Sequence, residues 1–512
     1  MKKNKSIRLP SYIEAILPII TMVSLMIYIF VFAKKEVNGR LESIYDGAHM
    51  PLVCGIIVAC IVGIKCGHTF KEMVSGMIDR ITTTLDAILI LLTVGLLISS
   101  FMISGTIPAL IYYGLELLNP KLFLPIGCII TAIVGLACGS SWTATATIGI
   151  AFMTIGQGLG ISPAITAGMV ISGAYIGDKF SPLSDTTNLA AGVSKTDLFD
   201  HVRAMVSSTG PVFIISLFIY TILGLRANVI NYDPSVAEGI KTSLANNFNL
   251  NPLVLLPILI IVFVCVLRIE GLAGVMISVF VGIIFSQIFQ ETKSLAEIFS
   301  ILHYGPEIET GNNFVDQALA KGGMDNQMWT INLILLAVSF GGALEKSGVI
   351  EKLFSKLKEK INSIGGLVFT TMATSIFCDA TMCDQFLGIG VPAPLYEDKY
   401  DEMGLSRTLE DAGTLWAVMF PWTACGAYQM KTLGVSPVYY FPFAFVNLLN
   451  PLYALLTAYF KRNIFWADGS YTNIFGKTKM KKKARCSKDI EKYAVSQLNK
   501  LRLEGKAPNI SK

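Results

Sequence analysis

The sequence predicts an all-α, polytopic membrane protein built from two inverted-topology repeats with discontinuous or re-entrant helices. Three observations carry that expectation. Only 15% of the residues are charged and 53% are hydrophobic, where a soluble chain would hold about 25% charged. Several apolar runs reach the roughly 20 residues that cross a bilayer as helix. The second half also repeats polar interruptions of the first in the same order, the sequence sign of a secondary transporter with a site near the bilayer midplane. Mean hydropathy is +0.59 over the 512 residues.

The chain opens with Lys2, Lys3, Lys5 and Arg8 before an apolar run from Ala15 to Ala33. That run is too long for a signal-peptide core and no small-residue cleavage site closes it, so residues 11–33 are expected to stay as the first span after a tail of residues 1–10. Residues 50–64, 87–104 and 121–138 supply further spans, and residues 106–118 read as an amphipathic interfacial segment. From Leu122 to Gly177 no residue is charged. Within that run residues 140–160 carry Gly149, Gly156, Gly158 and Gly160 among many hydroxyls, a composition suited to a broken helix facing protein or water rather than lipid. After residues 161–177, 204–225, 252–267 and 271–290, a polar stretch (291–328) is expected at a membrane surface. It divides an N-terminal half (11–290) from a C-terminal repeat (329–460). Residues 461–512 hold fourteen Lys and Arg against four Asp and Glu. Basic ends on both sides place both termini in the cytoplasm by the positive-inside rule.

The chemistry concentrates in GSSWTATATIGI (139–150), in GAYIGDKFSPLSDTTNLAAG (173–192) and in LSRTLEDAGTLWAVMFPWTACGAYQMKTLGV (405–435). A carboxylate at membrane depth is costly unless a cation, a proton or a partner compensates it. Asp178 has Lys179 beside it, so an ion pair and an ion-coupled carboxylate both remain open. Asp185 lies among Ser184, Thr186, Thr187 and Asn188, oxygen donors suited to a hard cation, though the same residues make a good Asx turn or helix cap. Asp379 and Asp384, with Gln385, follow the charge-free run Ile361–Cys378, and no basic residue lies between Lys360 and Lys399. Glu410 and Asp411 have Arg407 within helical pairing distance, so ion pair and site role are balanced there, and Thr414 and Thr423 are the more pointed candidates. Thr423 sits at the Pro421–Trp422 break, where freed backbone carbonyls can hold an ion. Ser140, Ser141 and Thr143, with Thr145 and Thr147, are candidate ligands or helix-packing residues.

These three segments resemble the NhaC family of bacterial sodium/proton antiporters, which includes malate/lactate antiporters, and the likeness spans roughly residues 10–460. The resemblance implies an ion-transporter superfamily architecture, in which a transport unit moves against a scaffold in the bacterial cytoplasmic membrane. It implies exchange of Na+ for H+ with no resident cofactor; by their own surroundings in the sequence, Asp185 and Asp379 are the expected ligands of the transported Na+. A small carboxylate or an amino acid is the alternative cargo, and a homodimer is compatible with the class. Other classes lack their marks. No GxxxxGK[ST] phosphate loop is present, so ATP does not drive the process directly. HExxH and GxSxG are missing too, so no hydrolase is expected. The ten cysteines show no CxxC, and the four histidines are far apart, so neither a disulfide framework nor a metal site is expected. Nothing suggests nucleic acid.

Overall fold

The computed structural model describes residues 7–37, 40–43, 47–227, 234–267, 269, 271–312, 315–316, 319–354, 363–400, 402–465 and 470–480. Nearly all of it is helix. Ser11 and Glu14 form a capping box that starts α1 (Tyr12–Ile27), and Glu14 also receives Arg8 and Lys65. A short hairpin of β1 (Lys34–Val37) and β2 (Arg40–Ser43) follows, then α2 (His49–Lys65), α3 (Phe70–Thr83) and α4 (Leu85–Ile103). Next come α5 (Thr106–Leu117), α6 (Phe123–Cys138), α7 (Ser141–Ala144), a π-turn (Thr145–Gly149) and α8 (Ile150–Gly158). The first half continues through α9 (Pro163–Phe180), α10 (Asp185–Val193), α11 (Leu198–Ala227), α12 (Pro234–Asn247), α13 (Leu256–Val266), α14 (Gly271–Phe289) and α15 (Leu295–Tyr304).

The second half holds α16 (Met328–Lys346), α17 (Val349–Phe354), α18 (Ile364–Met382), α19 (Gln385–Gly390), α20 (Pro392–Tyr396) and α21 (Glu402–Leu409). A second π-turn (Glu410–Thr414) leads through α22 (Leu415–Ala417) to α23 (Ala424–Leu433), α24 (Pro437–Tyr440) and α25 (Phe445–Tyr459). Leu198–Arg226, Leu272–Phe289, Asp325–Lys346 and Ile364–Met382 are each long and apolar enough to cross a membrane, and three bent helix pairs meet the same test jointly. The chain is an all-α, multi-pass membrane protein.

Small residues let its helices touch backbone to backbone, the usual solution where lipid offers no hydrophobic drive. On α6 and α9, a Cβ added at Gly135, Gly173 or Gly177 would meet the carbonyls of Ala174, Cys128 or Ala132. Gly76 of α3 and Gly342 of α16 face each other in the same way.

The two interruptions expected from the sequence share one geometry. After α6, Gly139 is left-handed (φ 62°, ψ 27°), and extended Ser140 (φ −153°, ψ 117°) caps α7. After α18, Cys383 is left-handed (φ 61°, ψ 20°), and extended Asp384 (φ −143°, ψ 132°) caps α19. A non-glycine residue in that region is uncommon, so Cys383 marks a turn imposed by its surroundings. The second pair of breaks also matches. Pro182-Leu183-Ser184 leads into α10 with Ser184 as cap, and Pro421-Trp422-Thr423 leads into α23 with Thr423 as cap. Ala424 N–H donates to Cys383 O across the centre (2.9 Å).

Three segments differ from the sequence expectation. Residues 106–117 are not an interfacial skin. Thr106, Ile107, Ala109 and Ile111 are fully buried, because Gly114 and Gly158 let α5 pack on α8. The connector does not stay at the surface throughout. Gly323 N–H bonds Gly95 O (3.0 Å) and Ser99 Oγ (2.7 Å), so this loop is laid into α4. The start of the basic tail is folded into a sheet of β3 (Ile464–Phe465), β4 (Ser470–Thr472) and β5 (Thr478–Met480). Asn463 ties it to Ser207 on α11 and to Arg407 on α21. The rest of that tail, residues 481–512, lies outside the described residues, as do residues 1–6.

Candidate functional site

The breaks in α6 and α9 meet the turn into α19 and enclose a cavity of about 50 Å³, lined by Gly139, Ser140, Ser141, Trp142, Asp178, Ser184, Asp185, Thr186, Gln385, Phe386 and Ile90. No Lys, Arg or His is among those residues. Ser140 sits there because it caps α7, its Oγ accepting from Thr143 N–H (3.2 Å). Ser141 N–H donates to Asp178 Oδ2 (3.0 Å), so the opening turn of one half-helix faces the carboxylate at the end of another. Ser184 Oγ and Thr186 Oγ1 are 3.1 Å apart. Asp185, at the first turn of α10, is exposed at the mouth, whereas Asp178, Ser184 and Thr186 are buried.

Behind this cavity lies a buried network that sequence proximity does not reveal. Lys179 is fully buried, and its ammonium pairs with Asp411 on the second π-turn, not with Asp178. Asp411 Oδ1 also accepts from Asn450 Nδ2 (2.8 Å) and Ser208 Oγ (3.2 Å), while Arg407 Nε stands 4.0 Å from Oδ2. Asp411 is thereby compensated from four helical segments. Glu410, its neighbour, turns the other way and accepts from Thr186 Oγ1 (3.1 Å), with its Oε2 buried and without a hydrogen-bond partner. Glu410 therefore joins the wall of the cavity through Thr186.

The other expected residues are distributed as follows. Asp384 caps α19, accepting from Phe386 N–H (2.6 Å), and Gln385 lines the cavity with its buried Oε1 unbonded. Asp379 is fully buried behind the break, neither carboxylate oxygen has a partner, and a Cβ at Gly388 would collide with it. It does not line the cavity. Asn188 is exposed, its amide donating to Pro182 O (3.0 Å) and Ser184 O (2.8 Å) as a local cap. Thr143 and Thr414 are buried, Thr414 with an unbonded hydroxyl. Thr423 donates to Phe420 O (2.9 Å) and accepts from Gly426 N–H (3.0 Å), a helix cap. Ser208 and Asn450, which both donate to Asp411, carried no sequence signal, since single polar residues on long apolar helices are common.

Among the described residues no three His, Cys, Asp or Glu converge as a resident metal site would. What the cavity offers is a mixed carboxylate and hydroxyl oxygen set, the donor class of hard monovalent and divalent cations.

Comparison with known proteins points to carriers of several cargoes. Residues 173–462 match the model of the Na+/H+ antiporter family, and residues 2–225 match that of the C4-dicarboxylate anaerobic carriers. The chain is 37% identical over 416 residues to the Na(+)/H(+) antiporter NhaC of Alkalihalophilus pseudofirmus, covering 80% of this chain and 90% of that one. It is 35% identical over 467 residues to the arginine/ornithine antiporter ArcD of Halobacterium salinarum (90% and 94%). It is 32% identical over 471 residues to the malate-2H(+)/Na(+)-lactate antiporter of Bacillus subtilis (91% and 98%).

Proposed function

The chain belongs to the Na+/H+ antiporter family, and from that premise we propose that it is a secondary antiporter exchanging Na+ for H+ across the bacterial cytoplasmic membrane, with both termini cytoplasmic. The observation that carries this reading is the cavity itself. It presents Asp178 and Asp185 with the hydroxyls of Ser140, Ser141, Ser184 and Thr186, and no basic side chain. Its volume of about 50 Å³ is well below the roughly 300 Å³ at which organic-ligand pockets begin. An ion with its remaining waters fits that space. Lys179, the nearest cation in sequence, is committed to Asp411, so it neither neutralises Asp178 nor attracts an anion.

Exchange follows from competition. A buried carboxylate needs one positive companion. Na+ and H+ each satisfy Asp178, and the pair Asp178 and Glu410 accommodates one kind of cation at the expense of the other. Ser141 N–H, at the head of α7, keeps Asp178 oriented in both states. Asp379, buried with neither oxygen bonded, is a second carboxylate that needs a proton or an ion. No bond is made or broken in the cargo, so the reading assigns no catalytic residue.

The malate/lactate and arginine/ornithine relatives make an organic cargo the second reading. Purified protein in liposomes, with internal pH and labelled sodium followed together, tests the first. Sodium entry should alkalinise the lumen in fixed proportion, and lactate, malate and arginine should neither be carried nor compete. Asp178→Asn, Asp185→Asn and Asp379→Asn should each insert normally and lose exchange. Full exchange in all three would remove the assigned site, and transport of an organic cargo by the wild type would select the second reading.

A further inference from the structure

Trp142 lines the cation cavity and stacks on Tyr428 with centroids 4.6 Å apart and planes 16° from parallel. The two rings come from different halves of the chain, Trp142 from α7 and Tyr428 from α23. One hydrogen bond joins them, Tyr428 OH donating to Trp142 O (3.0 Å).

The course of the chain fixes which side the stack faces. Both α7–α8 and α23 start at a central break and run toward the connector. Gly149 backs onto Leu433 near the end of α23, Gly158 backs onto Ile240 of α12, and Lys321 of the connector donates to Thr432 O (2.7 Å). From the same centre α10 runs the other way, toward Lys195, whose partner Glu397 is at that end. Asp185, on the first turn of α10, is exposed. The cavity thus opens toward the α10 end and is floored by aromatic rings on the connector side. Gln429, the residue after Tyr428 on α23, is fully buried with neither amide atom hydrogen-bonded. Such a group is costly unless another state of the protein wets or bonds it.

We propose that the Trp142–Tyr428 stack is the gate that closes the cation cavity toward the connector face. The proposal rests on the reading that a cation is carried through this cavity. Opening toward the connector requires that this ring contact and hydrogen bond separate, together with the packing of Gly149 on Leu433, as α7 and the turn after it leave α23. Because each ring is anchored on a different repeat, movement of one half against the other is enough, and no separate lid is needed.

The test uses the full-length protein in liposomes. Trp142→Ala and Tyr428→Ala should raise sodium leak measured without any counter-ion gradient several-fold, and Trp142→Phe, which keeps a ring on Tyr428, should not. A second measurement does not depend on sodium. In a cysteine-free background, Gln429→Cys should be shielded from a membrane-impermeant thiol reagent applied at the α10 face, and adding Trp142→Ala should expose it. Unchanged leak and unchanged labelling in both alanine variants overturn the gate. Increased labelling in a protein whose wild type moves no sodium upholds the gate and overturns the cation reading instead.

Discussion

Removing the ammonium of Lys179 tests the central network directly. Both Lys179 and Asp411 are fully buried and paired, so Lys179→Met takes away the cation in direct contact with the carboxylate and leaves only Arg407, 4.0 Å from its far oxygen. Breaking a buried ion pair from one side costs about 3–5 kcal/mol. Asn450 and Ser208 still donate to Oδ1 and Arg407 stands 4.0 Å from Oδ2, which places the expected cost near the lower end, about 3 kcal/mol. Asp411→Asn strands the buried ammonium instead and should cost at least as much. The double variant Lys179→Met, Asp411→Asn removes both charges together, and its cost should fall to within about 1–2 kcal/mol of wild type, a coupling of about 4–5 kcal/mol, above the range usual for contacting pairs because each single variant strands a buried charge. Reversible unfolding in mixed micelles, read by tryptophan fluorescence, measures all four corners of the cycle. Additive losses would refute the pairing. They would mean that Lys179 is compensated elsewhere, with Asp178 the obvious candidate, and would take away the argument that Asp178 is free for an ion.

Two further outcomes follow from single contacts. Gly388→Ala places a methyl on the Asp379 carboxylate while Gly413 blocks retreat of α19. Overpacking of this kind costs about 1–3 kcal/mol, so the thermal midpoint in detergent should fall, and adding Asp379→Ala should restore it without restoring exchange. Burial, with Lys431 nearby, lowers the Lys321 ammonium in the connector from 10.5 to about 8. A depressed lysine is unfavourable in the fold while it is charged, so its penalty is complete below about pH 8 and relieved as pH rises toward 10.5. Amide protection of Gly323 and Met324, normalised for intrinsic rate, should therefore increase over that window. Lys321→Met should flatten the dependence, and a wild-type profile that falls with pH would contradict it.

The sequence by itself determined the class of this protein and the places where its helices break. Long uncharged runs leave no soluble alternative, because so much apolar surface cannot be covered within one chain. Gly139, Pro182 and Pro421 cannot continue a helix without cost, so the interruptions are local facts, and the polar residues beside them are local facts as well. Pairing across the centre was decided only by tertiary structure. Asp178 and Asp411 each had a basic neighbour in sequence, and a carboxylate takes whichever ammonium the packing presents. Helix direction turned Lys179 away from Asp178 toward a π-turn more than two hundred residues later, and in doing so left one acid paired with the ammonium and the other facing the cavity. Asp384 and Thr423 likewise had the composition of ligands, but a chain that bends sharply in a dry interior must first bond its own amide groups, and these side chains serve as helix caps. Which aromatic ring meets which, and hence which way the cavity is closed, is written in no single segment of the chain.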